Sequence, residues 1–277
     1  MEQKLLRKVQ LTELIIAKEL KRVCEKLDIP YILDSGTLLG AVRHRGFIPW
    51  DDDMDFAMTR DNFDRFLLEA PAELGEEYYL QSWKSDPAYG YPFAKLRLKN
   101  TAFVEAVSQY AGSEKGFYVD IFPYDVYPDG QAERKRQGRE YDLLRRLILL
   151  KGEYTPWEAG NHRALKRIVY RAVSVAAIPF SREQLIRRFE TATRRFNDSS
   201  NGKVFSSGTD NYGTWVVDES CFTQRCQLPF EDDSFSAPEN WDSYLSDIYG
   251  DYMTPPPAEE RENKHQPVLV DFGEYAD

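Results

Sequence analysis

The chain has 277 residues, 42% of them hydrophobic and 30% charged, so it is long enough to bury a large core in one domain or two. No run of about 18 or more apolar residues occurs, and the N-terminus is charged throughout, so neither a transmembrane helix nor a secretory signal is expected. The net charge of −10, with no recognisable binding motif, argues against nucleic acid as a partner.

Residues 4–28 read as an amphipathic helix, with Ile16, Leu20, Val23, Cys24 and Leu27 at helical spacing, and Pro30 ends it. Cys24 belongs to the apolar stripe and is expected in the core. The three cysteines, Cys24, Cys221 and Cys226, form no CxxC or zinc-ligand spacing, which fits a reduced, cytoplasmic setting.

The most informative stretch follows at residues 31–58, YILDSGTLLGAVRHRGFIPWDDDMDFAM. It reads as a strand at 31–33, a small-residue turn at 34–37, a short helix at 38–42, a loop, and a second strand at 54–58 beneath four acids, Asp51, Asp52, Asp53 and Asp55. Strand alternation puts Asp53 and Asp55 on one face, with Asp52 and Met54 facing away. Two carboxylates crowded on one face need a proton or a divalent cation, and hard oxygen ligands suit Mg²⁺. Gly36 and Thr37, in a turn before a helix, offer backbone N–H groups to phosphate. Asp34, just before that turn, either caps it or contacts a ligand, the cap being favoured. Of the basic run Arg43, His44 and Arg45, Arg43 is placed to neutralise phosphate charge. An EF-hand reading from Asp51 fails, because Phe56 stands where the loop needs glycine and Asn62 where it needs glutamate.

A helix is expected over 60–70, closed by Pro71, and strands over Tyr78–Gln81, Ala94–Leu98 and Ala102–Glu105. Lys95 and Arg97 share a strand face, either as phosphate ligands or as the polar side of an edge strand. Residues 116–123, GFYVDIFP, form an apolar strand with one acid, Asp120. Burying that carboxylate is costly without a partner, and a metal shared with Asp53 and Asp55 supplies one. Asp125 is a secondary candidate for the same role, expected instead in the loop that follows.

Residues 131–198 are helical and basic, with 16 Lys and Arg against 8 Asp and Glu. That net +8 leaves −18 for the remainder, since the whole chain carries −10. A basic segment on an acidic protein suggests an anionic partner such as a membrane surface or a phosphorylated glycan, or else a solvated helical face. The apolar stretch 168–180 is too short to span a bilayer; it reads as a core helix or an interfacial one. Strands return over 204–217, where Asp210, Asn211 and Tyr212 form either a plain turn or a nucleotide contact. Residues 229–238 read as loop or short strand, and Trp241–Tyr249 as a short helix ended by Gly250.

The segment GTLLGAVRHRGFIPWDDDMDFAM closely resembles the signature of the LicD family, phosphocholine transferases of the nucleotidyltransferase superfamily. The likeness continues in FAKLRLKNTAF at 93–103, FYVDIFPYD at 117–125 and LPFEDDSFSAPENWDSYLSDIYGDYMTPPP at 228–257. The resemblance implies an α/β fold, with a nucleotidyltransferase-type mixed sheet flanked by helices and a basic helical insertion. It divides the chain into a catalytic core at 1–130, the insertion at 131–198, and a part at 199–277 that completes the domain. It implies catalysis by Asp53, Asp55 and Asp120 as ligands of two Mg²⁺ ions, with Mn²⁺ as the alternative, and donor binding by Gly36, Thr37, Arg43, Lys95 and Arg97. His265 is brought near the site by the same likeness. The implied reaction moves phosphocholine from CDP-choline to a hydroxyl of a cell-surface glycan or lipid-linked glycan: teichoic acid, lipopolysaccharide or a capsule precursor. Peripheral membrane contact would run through 131–198. Three other readings stay open: transfer of another CDP-linked alcohol phosphate (ribitol or glycerol phosphate), synthesis of an activated NDP donor, or a silent binding subunit. The intact acid trio speaks against the last.

Overall fold

The computed structural model describes residues 1–155, 164, 165, 167–169, 179–199, 201–263, 265 and 267–275. Helix α1 spans Gln3–Leu27 and buries Val9, Ile16, Leu20, Val23 and Cys24 along one stripe. It stops at Asp28, which turns into the left-handed region at φ 51 and gives its N–H to the Cys24 and Glu25 carbonyls, two residues before Pro30. After the short strand β1 (Ile32–Leu33) comes α2, Ser35–His44. It starts earlier than the sequence suggests, because Asp34 caps it by accepting the Ser35 N–H. Gly36 and Thr37 therefore sit in the first helical turn.

The following elements are β2 (Asp55–Thr59), α3 (Arg60–Glu69), β3 (Tyr78–Gln81), β4 (Ala94–Leu98), β5 (Ala102–Glu105) and β6 (Tyr118–Val126). Helix α4 spans Gln131–Lys151 and α5 spans Arg182–Thr193, the latter opened by a Ser181–Gln184 capping box. Then come β7 (Lys203–Ser206), β8 (Val216–Asp218), β9 (Arg225–Phe230), β10 (Asp233–Pro238), α6 (Trp241–Tyr249) and β11 (Pro267–Asp271).

The architecture is mixed α/β. A seven-stranded sheet runs β1-β2-β6-β4-β3, with β7 added beside the C-terminal end of β6 and β8 beyond it. The β2–β6 pair is parallel and the other pairings in this sheet are antiparallel. The long strand β6 organises it: its first half pairs with β4, its last residues pair with β7, and β2 lies along its other edge. Alternation along β6 sends Val119 and Ile121 into the apolar core and Asp120 and Phe122 to the opposite face. Strand β4 is thus interior, which removes the edge-strand reading of Lys95 and Arg97.

Two smaller pairings matter for the site. β9 and β10 form a hairpin whose turn residue Glu231 is left-handed at φ 56, where loop or short strand was expected for 229–238. Pro229 and Pro238 at strand positions hide that hairpin from a propensity reading, yet a two-stranded ribbon has free edges that tolerate them. β11 pairs antiparallel with β5 and carries the C-terminal segment back toward Glu105. Helices α4 and α5 close a second apolar cluster of Tyr141, Leu147, Ile148, Leu185, Phe189 and Phe205. Among the described residues no helix is long and apolar enough to cross a membrane. Most of the apolar stretch 168–180, with Lys166 and Arg171 of its basic surroundings, lies outside the described residues, as does Arg163.

Candidate active site

Strand register builds the floor of the site. Asp55 is the Cα partner of Asp120 across the parallel pair, and Lys95 is the partner of Asp120 across β4–β6. Three strands thus present carboxylate, carboxylate and ammonium side by side. Lys95 Nζ stands 2.8 Å from Asp120 Oδ1 and 3.2 Å from the centre of the Tyr118 ring. The floor opens into a cavity of about 2020 Å³ that Asp53, Asp55, Asp120, Lys95, Gly36 and Arg43 all line. That exceeds the roughly 300–1,000 Å³ of an ordinary small-molecule site and leaves room for two substrates.

Residues 51–54 precede β2 instead of belonging to it, so strand alternation does not govern them. Asp52, expected to face away, lies beside Asp53. The two share His265, whose Nδ1 is 3.3 Å from Asp52 Oδ1 and 3.7 Å from Asp53 Oδ2. Among the described residues, the His and carboxylate atoms that converge within 4.8 Å are those of Asp52, Asp53 and His265. Asp55 and Asp120 complete the acidic floor alongside this tighter group.

Electrostatics set the protonation states. Burial, followed by the charges of Asp53, Asp120, Asp34 and Asp51, pushes the Asp55 carboxyl well above its ordinary value. Burial also raises Asp120, against the pull of Lys95. Burial works against charging His265, but the Asp52 hydrogen bond and the charges of Asp53 and Glu105 push it up to about 10. Glu105 is held below the usual range despite burial, because His265, Lys95 and the Tyr118 hydroxyl face it. Beneath the acids, Glu13 of α1 is buried and pushed well up, first by burial and then by Asp53, Asp52, Asp51 and Asp120.

These residues fit a hard divalent cation. The donors are mostly carboxylate oxygens crowded in one buried place, and Asp52 Oδ2 is buried with no hydrogen-bond partner among the described residues.

The remaining sequence candidates divide. Arg43 lines the cavity, and its Nη1 donates to the Tyr252 carbonyl at 2.7 Å. Gly36 also lines it, packed so closely that a Cβ there would stand 2.9 Å from Asp51 Oδ2. Thr37 is buried, and its hydroxyl accepts the Asp55 N–H at 2.8 Å. It braces Asp55, while Ser35 takes the place at the cavity wall with a strained, left-handed φ of 48. Arg97 is buried and spent on Gln81 Oε1 and the Gly116 carbonyl, each at 2.5 Å. Asp34 is a buried cap that also accepts from Tyr124 and Tyr244. Asp125, expected in a loop, lies within β6 and pairs with Arg60. Asp210 and Asn211 line the cavity, whereas Tyr212 packs on Tyr127, Tyr141 and Phe205. Asp52, Glu105 and Glu13 were missed. No spacing marks them, because their role arises from pairings between distant segments.

A family model described as LicD/FKTN/FKRP, nucleotidyltransferase domain, matches residues 28–142. The chain is 30% identical over 267 residues to the lipopolysaccharide cholinephosphotransferase LicD of Haemophilus influenzae, covering 94% of this chain and 96% of that protein. Over 47 residues it is 45% identical to an uncharacterized protein of Rickettsia prowazekii, a match spanning 17% of this chain and 18% of that one. An uncharacterized protein of Rickettsia typhi matches at the same identity and length, over 15% of its own chain.

Proposed function

The chain belongs to the LicD family, and on that premise we propose that this transferase moves phosphocholine from CDP-choline to a hydroxyl of a cell-surface glycan. The observation that carries the reading is the register line Asp55–Asp120–Lys95, with Asp53 beside it, on the floor of one large cavity. A sheet of the nucleotidyltransferase type is part of the same proposal, with 1–130 and 199–277 building the catalytic domain around the insertion at 131–198.

Asp53, Asp55 and Asp120 are the proposed ligands of Mg²⁺, or of Mn²⁺, with Asp52 and His265 adjoining. The cation supplies a Lewis-acid charge where negative charge develops on the phosphoryl oxygens. The acceptor oxygen attacks the phosphorus that bears choline, its proton passes to Asp120, and the bond to CMP breaks so that CMP departs. Arg43 and Lys95 hold phosphate charge, and the Ser35–Gly36 backbone meets the donor phosphates at the start of α2. Thr37 and Arg97 act as positioning residues. The acceptor is a glycan or lipid-linked glycan reached from the cytoplasmic side. Peripheral contact would run through the basic segment, whose Arg145 and Arg146 line the cavity beside the exposed Leu165 and Val169.

Calorimetry tests the reading directly. Selective binding of CDP-choline over CDP-ribitol, CDP-glycerol and CTP in the presence of Mg²⁺ is expected, and CMP is the expected product once an acceptor is supplied. Equal or tighter binding of another CDP-alcohol would move the substrate assignment. Binding of CTP alone, with pyrophosphate as product, would replace transfer by donor synthesis.

A further inference from the structure

A quaternary ammonium cannot donate hydrogen bonds, so a protein recognises it with aromatic faces and negative potential. Among the described residues, aromatic rings line the cavity in three main places. Tyr91 and Phe93 stack at 5.1 Å, and Phe122 lies 4.6 Å from Phe93. This group already faces a cation: Lys95 Nζ stands 5.9 Å from the Tyr91 centroid and 5.3 Å from that of Phe93. Trp50 is likewise covered, by the Arg261 guanidinium at 5.1 Å. The third place is Trp215 against Tyr249, an edge-to-face pair with centroids 5.7 Å apart. No cation of the described protein lies over either ring.

The backbone around that pair is also arranged for positive charge. Tyr249 is the last residue of the nine-residue α6, whose last turn carries no basic residue. The helix therefore brings its negative end to the cavity wall, where Tyr249, Asp251 and Tyr252 all face inward. Arg43, on the same wall, donates to the Tyr252 carbonyl and stacks on neither ring. The phosphate and ammonium of choline phosphate are two carbons apart, so the place that takes one must adjoin the place that takes the other. Arg43 and Tyr249 line the same wall.

We propose that Trp215 and Tyr249 form the choline subsite, with the α6 carboxyl end and Asp251 supplying negative potential and Arg43 holding the adjoining phosphate. The assignment rests on the phosphocholine reading above and adds the residues that confer choline specificity.

The test is calorimetry with CDP-choline, CDP-glycerol and plain CDP, each with Mg²⁺, on the full chain and on Trp215→Leu, Tyr249→Leu and Trp215→Phe. Both leucine variants are expected to weaken CDP-choline by about tenfold or more while CDP binding stays within about twofold. Trp215→Phe keeps a π-face and is expected to retain most of the preference. Using the CDP-choline to CDP ratio separates the subsite from general damage, because a misfolded variant loses both ligands together. In that event the independent second position decides. A preference for CDP-choline that survives both leucine changes overturns the subsite and leaves the phosphocholine reading standing, as does a Trp215→Phe variant that loses as much as Trp215→Leu. A wild-type protein that binds CDP-glycerol as tightly as CDP-choline overturns both.

Discussion

Asp120 and Asp125 sit on the same strand, β6, and both are almost wholly buried, yet their surroundings are opposite. Asp125 meets Arg60 through two nitrogens, the Ser207 hydroxyl at 2.6 Å and the Asn197 amide at 2.7 Å. These partners more than offset its burial and hold its carboxyl below the usual range. Asp120 has one ammonium for company and shares its cavity with Asp53, Asp55 and Glu105, and its carboxyl is raised. A buried acid with every lone pair satisfied is holding the fold together. A buried acid left among other acids, open to a cavity, is kept for something that arrives from outside.

That contrast breaks if the two aspartates behave alike on mutation. The largest expected effect belongs to Asp125→Asn, which strands Arg60 in the interior and should cost about 3–5 kcal/mol of unfolding free energy in urea titration. The same pair sharpens the point through pH. With the folded carboxyl below its unfolded value of about 3.9, the stabilisation is complete above that value and is lost as pH falls through the folded one. The stability gap between wild type and Asp125→Asn should therefore be widest near neutrality and shrink in acid. A gap independent of pH would remove the ionised pair from the account.

Next in size is Asp55→Asn or Asp120→Asn. Turnover should fall by about a hundredfold or more, roughly 2.7 kcal/mol of barrier; the melting temperature should be unchanged or higher in Asp55→Asn, where like charges have been thinned out, and lower in Asp120→Asn, which strands the buried Lys95. Near-normal rates in either variant would sink the assignment of the acidic floor. Thr37→Val leaves the Asp55 N–H without its acceptor, at a cost of about 1–3 kcal/mol in stability by urea titration. Its effect on turnover should exceed its effect on donor affinity, since Thr37 does not line the cavity; a change confined to affinity would return it to the phosphate site. The smallest effect is the control. Arg136→Ala, on the outer face of α4, removes an exposed pair with Glu140 and should change stability by at most about 0.5 kcal/mol in the same assay.

Some of this was legible in the chain. Strands β3, β4 and β5 and helices α1 and α6 follow from periodicity and stop signals, and Asp53, Asp55 and Asp120 stand out as acids in apolar, strand-forming surroundings. Arg43 and Gly36 were picked by proximity to that motif and Lys95 by sharing a strand face with Arg97, and all three line the cavity. Thr37 and Arg97 were picked by the same logic and turn inward. Whether a polar side chain beside a motif faces a ligand or a neighbouring backbone is set by which strand lies next to it. For Arg97 the neighbours are Gln81 of β3 and Gly116 just before β6.

The sequence by itself determined the family, the β-strand, α-helix and β-strand order of the signature, and the chemistry of its acids, because these depend on residue type and short-range spacing. Only the tertiary structure decided that His265 would meet Asp52 and Asp53 across 213 and 212 residues, that Asp125 would be neutralised by Arg60, and that Trp215 would face Tyr249. Those outcomes depend on the β5–β11 pairing, the approach of α3 to β6, and the packing of α6 against β8. Local spacing carries no record of such contacts, because their free energy comes from surfaces that touch only after the chain has folded.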